Sequence, residues 1–200
     1  MLETKDLACE RGGVRLFAGL GFSVGAGALL RVKGPNGSGK TSLLRIVCGL
    51  LTPSRGEVRW RGEPVAALRE EFSRELVYLG HAPAVKDDLT PAENLDIACR
   101  LAGISFTRQE LSLALEGFAV PDRPVRRLSQ GQRRRAALAR LALSGAVPLW
   151  LLDEPLAALD VSAAALVEEL ARRHVERGGA VIYTTHQAAA IDAGARVIEL

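Results

Sequence analysis

Two hundred residues, 48% apolar and 24% charged, suffice for one domain with a buried core and room for a small helical subdomain. Aromatic residues make up only 4%, so the core is expected to rest on Leu, Val and Ala. The net charge of +3 comes from an arginine excess spread along the chain, which reads first as a solvated surface and second as a footprint for nucleic acid or acidic lipid.

Taken in chain order, Met1–Gly13 carries acids and lacks the apolar run of a signal peptide. Residues Ala28–Lys33 predict a strand, and Lys40–Cys48 a buried helix stopped by Gly49. Glu57–Arg61 and Leu76–Leu79 predict two more strands. A helix-rich middle follows over Pro91–Gly117, broken at Gly103 and re-entered near Thr107, and then a helix from Gln130 to about Leu143. The longest apolar stretch, Leu141–Leu152, is interrupted by Ser144, Gly145 and Pro148; it falls short of the roughly 20 residues of a spanning helix, and a soluble or membrane-peripheral protein is expected. Pro148–Asp153 predicts a strand, Val161–Arg177 a helix that carries His174 on a charged, solvated face, Ala180–Thr184 a strand, and Arg196–Leu200 one more. Cys9, Cys48 and Cys99 are odd in number and widely spaced, which speaks against a disulfide framework or a cysteine metal site. Alternating strands and helices with fully apolar strands point to an α/β sheet covered on both faces, with the helical middle, about residues 82–145, inserted into a single domain, 1–200.

The chemistry concentrates in a few short segments. Gly34-Pro35-Asn36-Gly37-Ser38-Gly39-Lys40-Thr41 satisfies the pattern G-x-x-x-x-G-K-[ST] between a predicted strand and a predicted helix. Its glycines allow the backbone curl that turns successive N–H groups into one concavity, at the positive end of a helix, for a phosphate chain. Lys40, one of only four lysines, supplies a compact mobile cation, and Thr41 a hydroxyl for Mg²⁺. The apolar strand Trp150–Asp153 ends in two acids, Asp153 and Glu154. Beside a phosphate loop, Asp153 suits a metal or its water, and Glu154 suits a base that orients a water towards the γ-phosphate. The same pair would also serve as the acidic start of a helix. Ser129 and Gln132 make a capping box at the head of an arginine-rich helix, and Ser129 with Gly131 exposes a second anion site there. No C-x-x-C-H haem attachment motif is present.

Leu128-Ser129-Gln130-Gly131-Gln132 resembles the signature motif of ABC ATPases, with Gln130 in place of the first glycine of the family form LSGGQ. Nearly the whole chain then follows that family's order: Walker A at Gly34–Thr41 with Ser42 next to it, Walker B at Leu149–Asp153, a D-loop at Ala157–Asp160 and a switch histidine at His186. The resemblance implies a P-loop NTPase core with a mostly parallel sheet covered by helices, an N-terminal antiparallel β portion and a helical subdomain. It implies ATP and Mg²⁺ as ligands, Lys40, Glu154 and His186 as the catalytic set, and Thr41 and Asp153 at the metal. It also implies a head-to-tail dimer with a second copy, in which Ser129, Gly131 and Gln132 of each chain complete the other's nucleotide site. Two positions depart from the family: His81 stands at the usual Q-loop glutamine, the third candidate at the metal, and Arg11 stands where an aromatic normally stacks on adenine. These departures, with Cys9–Arg11, Leu16–Leu20, Leu79–Pro83, Glu93–Leu95 and Gln132–Arg135, resemble the ATP-binding subunits of the bacterial cytochrome c maturation haem exporter. That resemblance implies a peripheral protein on the cytoplasmic face of the inner membrane, with membrane subunits resembling CcmB, CcmC and CcmD, and indirectly the haem chaperone CcmE. No nucleic acid is expected as a partner. Another ABC transporter shares the same motifs, and the Arg126-Arg127 and Arg133–Arg135 clusters are the features that would suit a non-transport ABC protein acting on nucleic acid or iron–sulfur assembly.

Overall fold

Two sheets organise the chain in the computed structural model, which describes residues 1–186 and 190–200, the side chain of Arg69 apart. An antiparallel sheet takes strands β1 (Leu2–Arg11), β2 (Val14–Val24), β4 (Arg55–Trp60) and β5 (Glu63–Pro64) in the order β2-β1-β4-β5. A parallel sheet takes β6 (Leu76–Leu79), β7 (Leu149–Asp153), β8 (Ala180–Thr184), β3 (Leu29–Lys33) and β9 (Arg196–Glu199) in the order β6-β7-β8-β3-β9. Helix α1 (Lys40–Val47) follows β3, and α2 (Val65–Arg74), not foreseen from the sequence, leads into β6 with Phe72 packed on Trp60 at 5.3 Å between ring centroids. Between β6 and β7 lie α3 (Pro91–Leu101), α4 (Arg108–Gly117), α5 (Gln130–Leu138) and α6 (Arg140–Leu143). The helix expected over 130–143 is therefore two, interrupted at Ala139. Helix α7 (Val161–Glu176) joins β7 to β8.

Local chemistry accounts for these boundaries. Thr90, Thr107 and Ser129 each close a capping box with Glu93, Glu110 and Gln132, so α3, α4 and α5 start where a side chain can satisfy the first free N–H groups. Every residue of β7 and β8 is buried, as a parallel strand covered on both faces requires. Alternation assigns their side chains to two cores. Leu149, Leu151 and Ile182 join one that includes Phe17, Phe22, Trp60 and Phe72; Trp150, Leu152, Val181 and Tyr183 join the other, with Phe118, Leu138 and Leu141. Among the described residues no helix is long and apolar enough to cross a membrane.

His174 departs from the solvated position expected of it. It is 3% exposed on α7, stacked flat on Trp150 at 4.0 Å with 5° between the rings, and neither ring nitrogen has a hydrogen-bond partner. The charged residues around it in sequence face outward, while His174 follows Val167 and Ala171 on the inner stripe. Burial pushes its pKa down from 6.5 to about 4, against a smaller opposing pull from the backbone of Pro148 and Gly145. The folded state thus prefers the neutral ring, and the unfolded state binds the extra proton. This stabilisation is present above pH 6.5 and is lost as pH falls towards 4. His174→Phe, which keeps the stack and removes the titration, should lose about 2 kcal/mol less stability than the native chain between pH 7 and pH 5, as measured by urea denaturation at both pH values.

Candidate functional site

The parallel sheet's register brings three strand ends to one place: Val32 of β3 pairs with Thr184 of β8, and Thr184 pairs with Asp153 of β7. The loops leaving those ends therefore converge outside the carboxyl edge of the sheet, where ligands bind in open α/β folds. From β3 the chain enters the loop Gly34–Gly39 and then α1. Two of its glycines are obligatory. At Gly34 (φ 153°) an added Cβ would stand 2.5 Å from the Ser38 hydroxyl and 2.9 Å from the Leu200 carbonyl oxygen. At Gly39 (φ 102°), the residue that opens α1, it would stand 3.1 Å from side-chain carbons of both Leu16 and Phe17. Only a residue without a side chain passes both points. Lys40 Nζ folds back on this loop and donates to the carbonyls of Gly34 (2.8 Å) and Pro35 (3.0 Å), while the buried Ser38 hydroxyl finds no partner.

The acid pair at the end of β7 is divided by depth. Asp153 is 2% exposed; its Oδ2 accepts from the Thr41 hydroxyl (2.8 Å) and its Oδ1 from the Thr184 hydroxyl (2.9 Å). Thr184 in turn accepts from the Glu154 N–H at 2.9 Å. Glu154 turns out of the strand in the left-handed region (φ 52°), uncommon for a residue with a side chain. Its carboxylate faces His186: Oε2 accepts from the His186 N–H at 3.2 Å, and Oε1 lies 3.3 Å from His186 Nε2. A cavity of about 840 Å³ opens over this arrangement, lined by Lys40, Thr41, Ser42, Asp153, Glu154 and His186 as well as by Asn36, Gly37, His81 and Arg11.

The donor set fits a Mg²⁺-bound polyphosphate. Lys40 and the loop residues Asn36, Gly37 and Gly39 at the cavity wall suit a phosphate chain, and the Thr41 and Asp153 oxygens, 2.8 Å apart, are the hard ligands Mg²⁺ prefers. Among the described residues no cluster of three or more His, Cys, Asp or Glu side chains is placed to hold a metal ion. The ABC transporter family pattern matches residues 17–157, which span the phosphate loop, the capped start of α5 and the acid pair.

The chain belongs to the ABC transporter ATP-binding family. It is similar over its full length to the "cytochrome c biogenesis ATP-binding export protein CcmA" of Nitrosospira multiformis (49% identical, 97% of that protein covered) and of Aromatoleum aromaticum (51%, 95% covered). Among solved structures it is similar to an ATP-binding subunit of an ABC transporter (TM-score 0.88, 25% identical, 100% of this chain and 85% of the other covered). A dimeric ATP-binding cassette in a post-hydrolysis state with ADP and Pi has the same fold (TM-score 0.86, 24% identical, 100% and 94% covered). This chain is accordingly an ATP-binding ABC subunit and an ATPase.

Of the expected site residues, the fold gathers Lys40, Thr41, Ser42, Asp153, Glu154, His186 and His81 around one cavity. It does not bring Ser129, Gly131 and Gln132 there. They lie at the exposed start of α5, where Ser129 accepts from the Gln132 N–H and a Cβ on Gly131 would stand 3.3 Å from the carbonyl of Ala158 in the D-loop. The arginines on either side of them in sequence are committed elsewhere: Arg133 pairs with Asp87, Arg126 with Asp88, and Arg135 with Asp160. Asp160 also caps α7 by accepting from the Ala163 N–H, and this bond holds its carboxyl below the usual carboxylate range, with Arg135 adding to the effect.

Two residues of the site went unread in the sequence, Thr184 and Arg134. The signal for Arg134 was present: it stands in phase with Leu138 and Leu141 at i, i+4 and i+7, on the buried side of its segment. Thr184 carried no such signal, because only strand pairing places its hydroxyl between Asp153 and the Glu154 N–H. Thr184→Val should leave a buried carboxylate oxygen and an N–H without partners, at a cost of roughly 1–3 kcal/mol in stability. Urea unfolding checks this, and Thr184→Ser, which keeps the oxygen, should recover most of the loss.

Proposed function

We propose that this chain hydrolyses Mg·ATP to power the export step of cytochrome c biogenesis, either haem export or release of the haem-loaded chaperone CcmE. The observation that carries the reading is full-length similarity to export proteins of that system, at 49% and 51% identity with almost their entire lengths covered. His81 and Arg11, which set this chain apart from the wider family, both line the nucleotide cavity. In this reading the chain is a single ABC ATPase domain, 1–200, with a helical subdomain over about 82–145. It works peripherally on the cytoplasmic face of the inner membrane with subunits resembling CcmB, CcmC and CcmD. The ion pairs that occupy Arg126, Arg133 and Arg135 favour this over a nucleic-acid role, since their charge is already compensated.

The chemistry assigned to the residues follows from their positions. The N–H groups of Gly34–Gly39, with Ser38, Lys40, Thr41 and Ser42, hold the phosphates, and Lys40 compensates their charge. Thr41 and Asp153 would hold Mg²⁺, which supplies further charge neutralisation when bound. His81 is assigned to the periphery of that ion, since Mg²⁺ takes oxygen ligands in preference to nitrogen. Glu154 accepts the proton of the attacking water as its oxygen bonds to the γ-phosphorus and the bond to the ADP oxygen breaks. His186, whose position is tied to the Glu154 carboxylate, contacts the γ-phosphate. The site closes when a second copy docks head to tail and presents Ser129, Gly131 and Gln132, residues that its own fold leaves away from its own cavity. Arg11 presents a planar guanidinium to the base where an aromatic ring is usual.

Lys40→Ala should lower ATP turnover at least hundredfold through loss of charge compensation, and near-normal turnover would remove the phosphate-loop assignment. Glu154→Gln should bind ATP without hydrolysing it and sediment as a dimer in Mg·ATP; a strictly monomeric species at saturating nucleotide speaks against the sandwich. Affinity recovery from membranes, with haem staining of the co-purified proteins, tests the biological assignment. Recovery of haem-handling membrane partners is expected, and recovery of an unrelated permease overturns it.

A further inference from the structure

Arg133, Arg134 and Arg135 are spaced about 100° apart around α5, and Arg134 is the one of the three that is fully buried, at 5% exposure. Its Nη1 donates to the carbonyls of Gly80 (2.7 Å) and His81 (2.8 Å), and its Nη2 to those of Asp153 (2.9 Å) and Glu154 (2.7 Å). One planar fork thus ties four main-chain carbonyls on two separate loops, both of which reach the nucleotide cavity. Burial presses against its charge and lowers its pKa, an effect offset in part by the Asp153 and Glu154 carboxylates. A residue needed here only to fill space would be apolar, because an apolar side chain of similar volume carries no desolvation cost. The fork is aimed at backbone that needs outside support: Glu154 holds φ 52°, a conformation that persists only where its surroundings enforce it.

We propose that Arg134 is a positioning residue: from the signature helix it sets the backbone of the Glu154 turn and of the His81 loop. The start of α5 offered to the partner's nucleotide and the carboxylate of the chain's own site then move as one body. Arg134 makes no contact with the phosphate loop, so its effect falls on turnover rather than on nucleotide affinity. This inference rests on the ATPase and sandwich-dimer reading above.

The test compares the native chain with Arg134→Met and Arg134→Lys, measuring kcat, the Kd for a fluorescent ATP analogue with Mg²⁺, and the far-UV circular dichroism of each. Arg134→Met should lower kcat by about tenfold to hundredfold, the range expected from a small displacement of a catalytic group, with Kd within twofold of native. Arg134→Lys, which keeps the charge but cannot bridge two loops, should restore only part of kcat, again with native Kd. A folded Arg134→Met with kcat within twofold of native overturns the proposal, as does a parallel loss of kcat and affinity. Loss of the folded state in both variants also overturns it, since the guanidinium would then be a core staple. Absence of turnover in the native chain overturns the ATPase reading together with this inference, whereas native turnover with indifferent variants overturns the role of Arg134 alone.

Discussion

A carboxylate buried to 2% exposure at the end of a wholly apolar strand persists only with its oxygens occupied, and the rest of the site is arranged around that requirement of Asp153. One oxygen is met by Thr41 from the first turn of α1, the other by Thr184 from the neighbouring strand. Those two bonds connect the phosphate loop, β7 and β8 into one unit. They hold only because β8 lies between β3 and β7 with Val32, Thr184 and Asp153 in register. A slip of one residue in either pairing would turn Thr184 to the opposite face and leave the carboxylate unmet. The same hydroxyl takes the Glu154 N–H, so the position of the Glu154 carboxylate depends on the same register.

Around this centre the backbone departs from comfortable conformations in a small region. Gly34, Gly39, Glu154 and Ala158 all have positive φ, and the latter two carry side chains. Strain of this kind gathers where function overrides local preference, and here it is braced by contacts from outside the segment. Arg134 grips the peptide groups of Asp153 and Glu154, the His186 N–H donates to one oxygen of the Glu154 carboxylate while its ring stands 3.3 Å from the other, and Asp160 at the end of the D-loop caps α7. The site is preorganised by hydrogen bonds rather than by bulk packing.

Surface charge and site charge follow different rules in this chain. The net +3 of the sequence comes from arginines spread along the chain and reads first as a solvated surface, yet Arg126, Arg133 and Arg135 around the signature segment are paired with Asp88, Asp87 and Asp160, and Arg134 is driven inward to carbonyls. The exposed pairs contribute little to stability one by one; their effect is to link α5 and the residues before it to the 87–88 loop and the D-loop. His174 shows the converse. A titratable ring in a charged stretch is buried flat against Trp150, where it behaves as an aromatic core residue and brings sensitivity to acid.

The sequence by itself determined the elements that depend on near neighbours. The strands Leu76–Leu79 and Ala180–Thr184 fall where the apolar runs placed them, and the start of α5 follows from the Ser129–Gln132 capping box. The phosphate loop was legible because its function needs a contiguous run of fixed residue types, from Gly34 to Thr41. The family resemblance then supplied the joint roles of the separate motifs. Tertiary structure alone decided the partners: that Thr184 bridges Asp153 and Glu154, that His174 stacks on Trp150, and that Arg134, whose helical phase already marked it as inward, holds two loops. The physical reason is common to all three. Each depends on which groups lie across a strand pairing or beneath a helix, and partners there are separated by 19 to 54 residues of chain, as in the bonds of Arg134 to Asp153 and to Gly80.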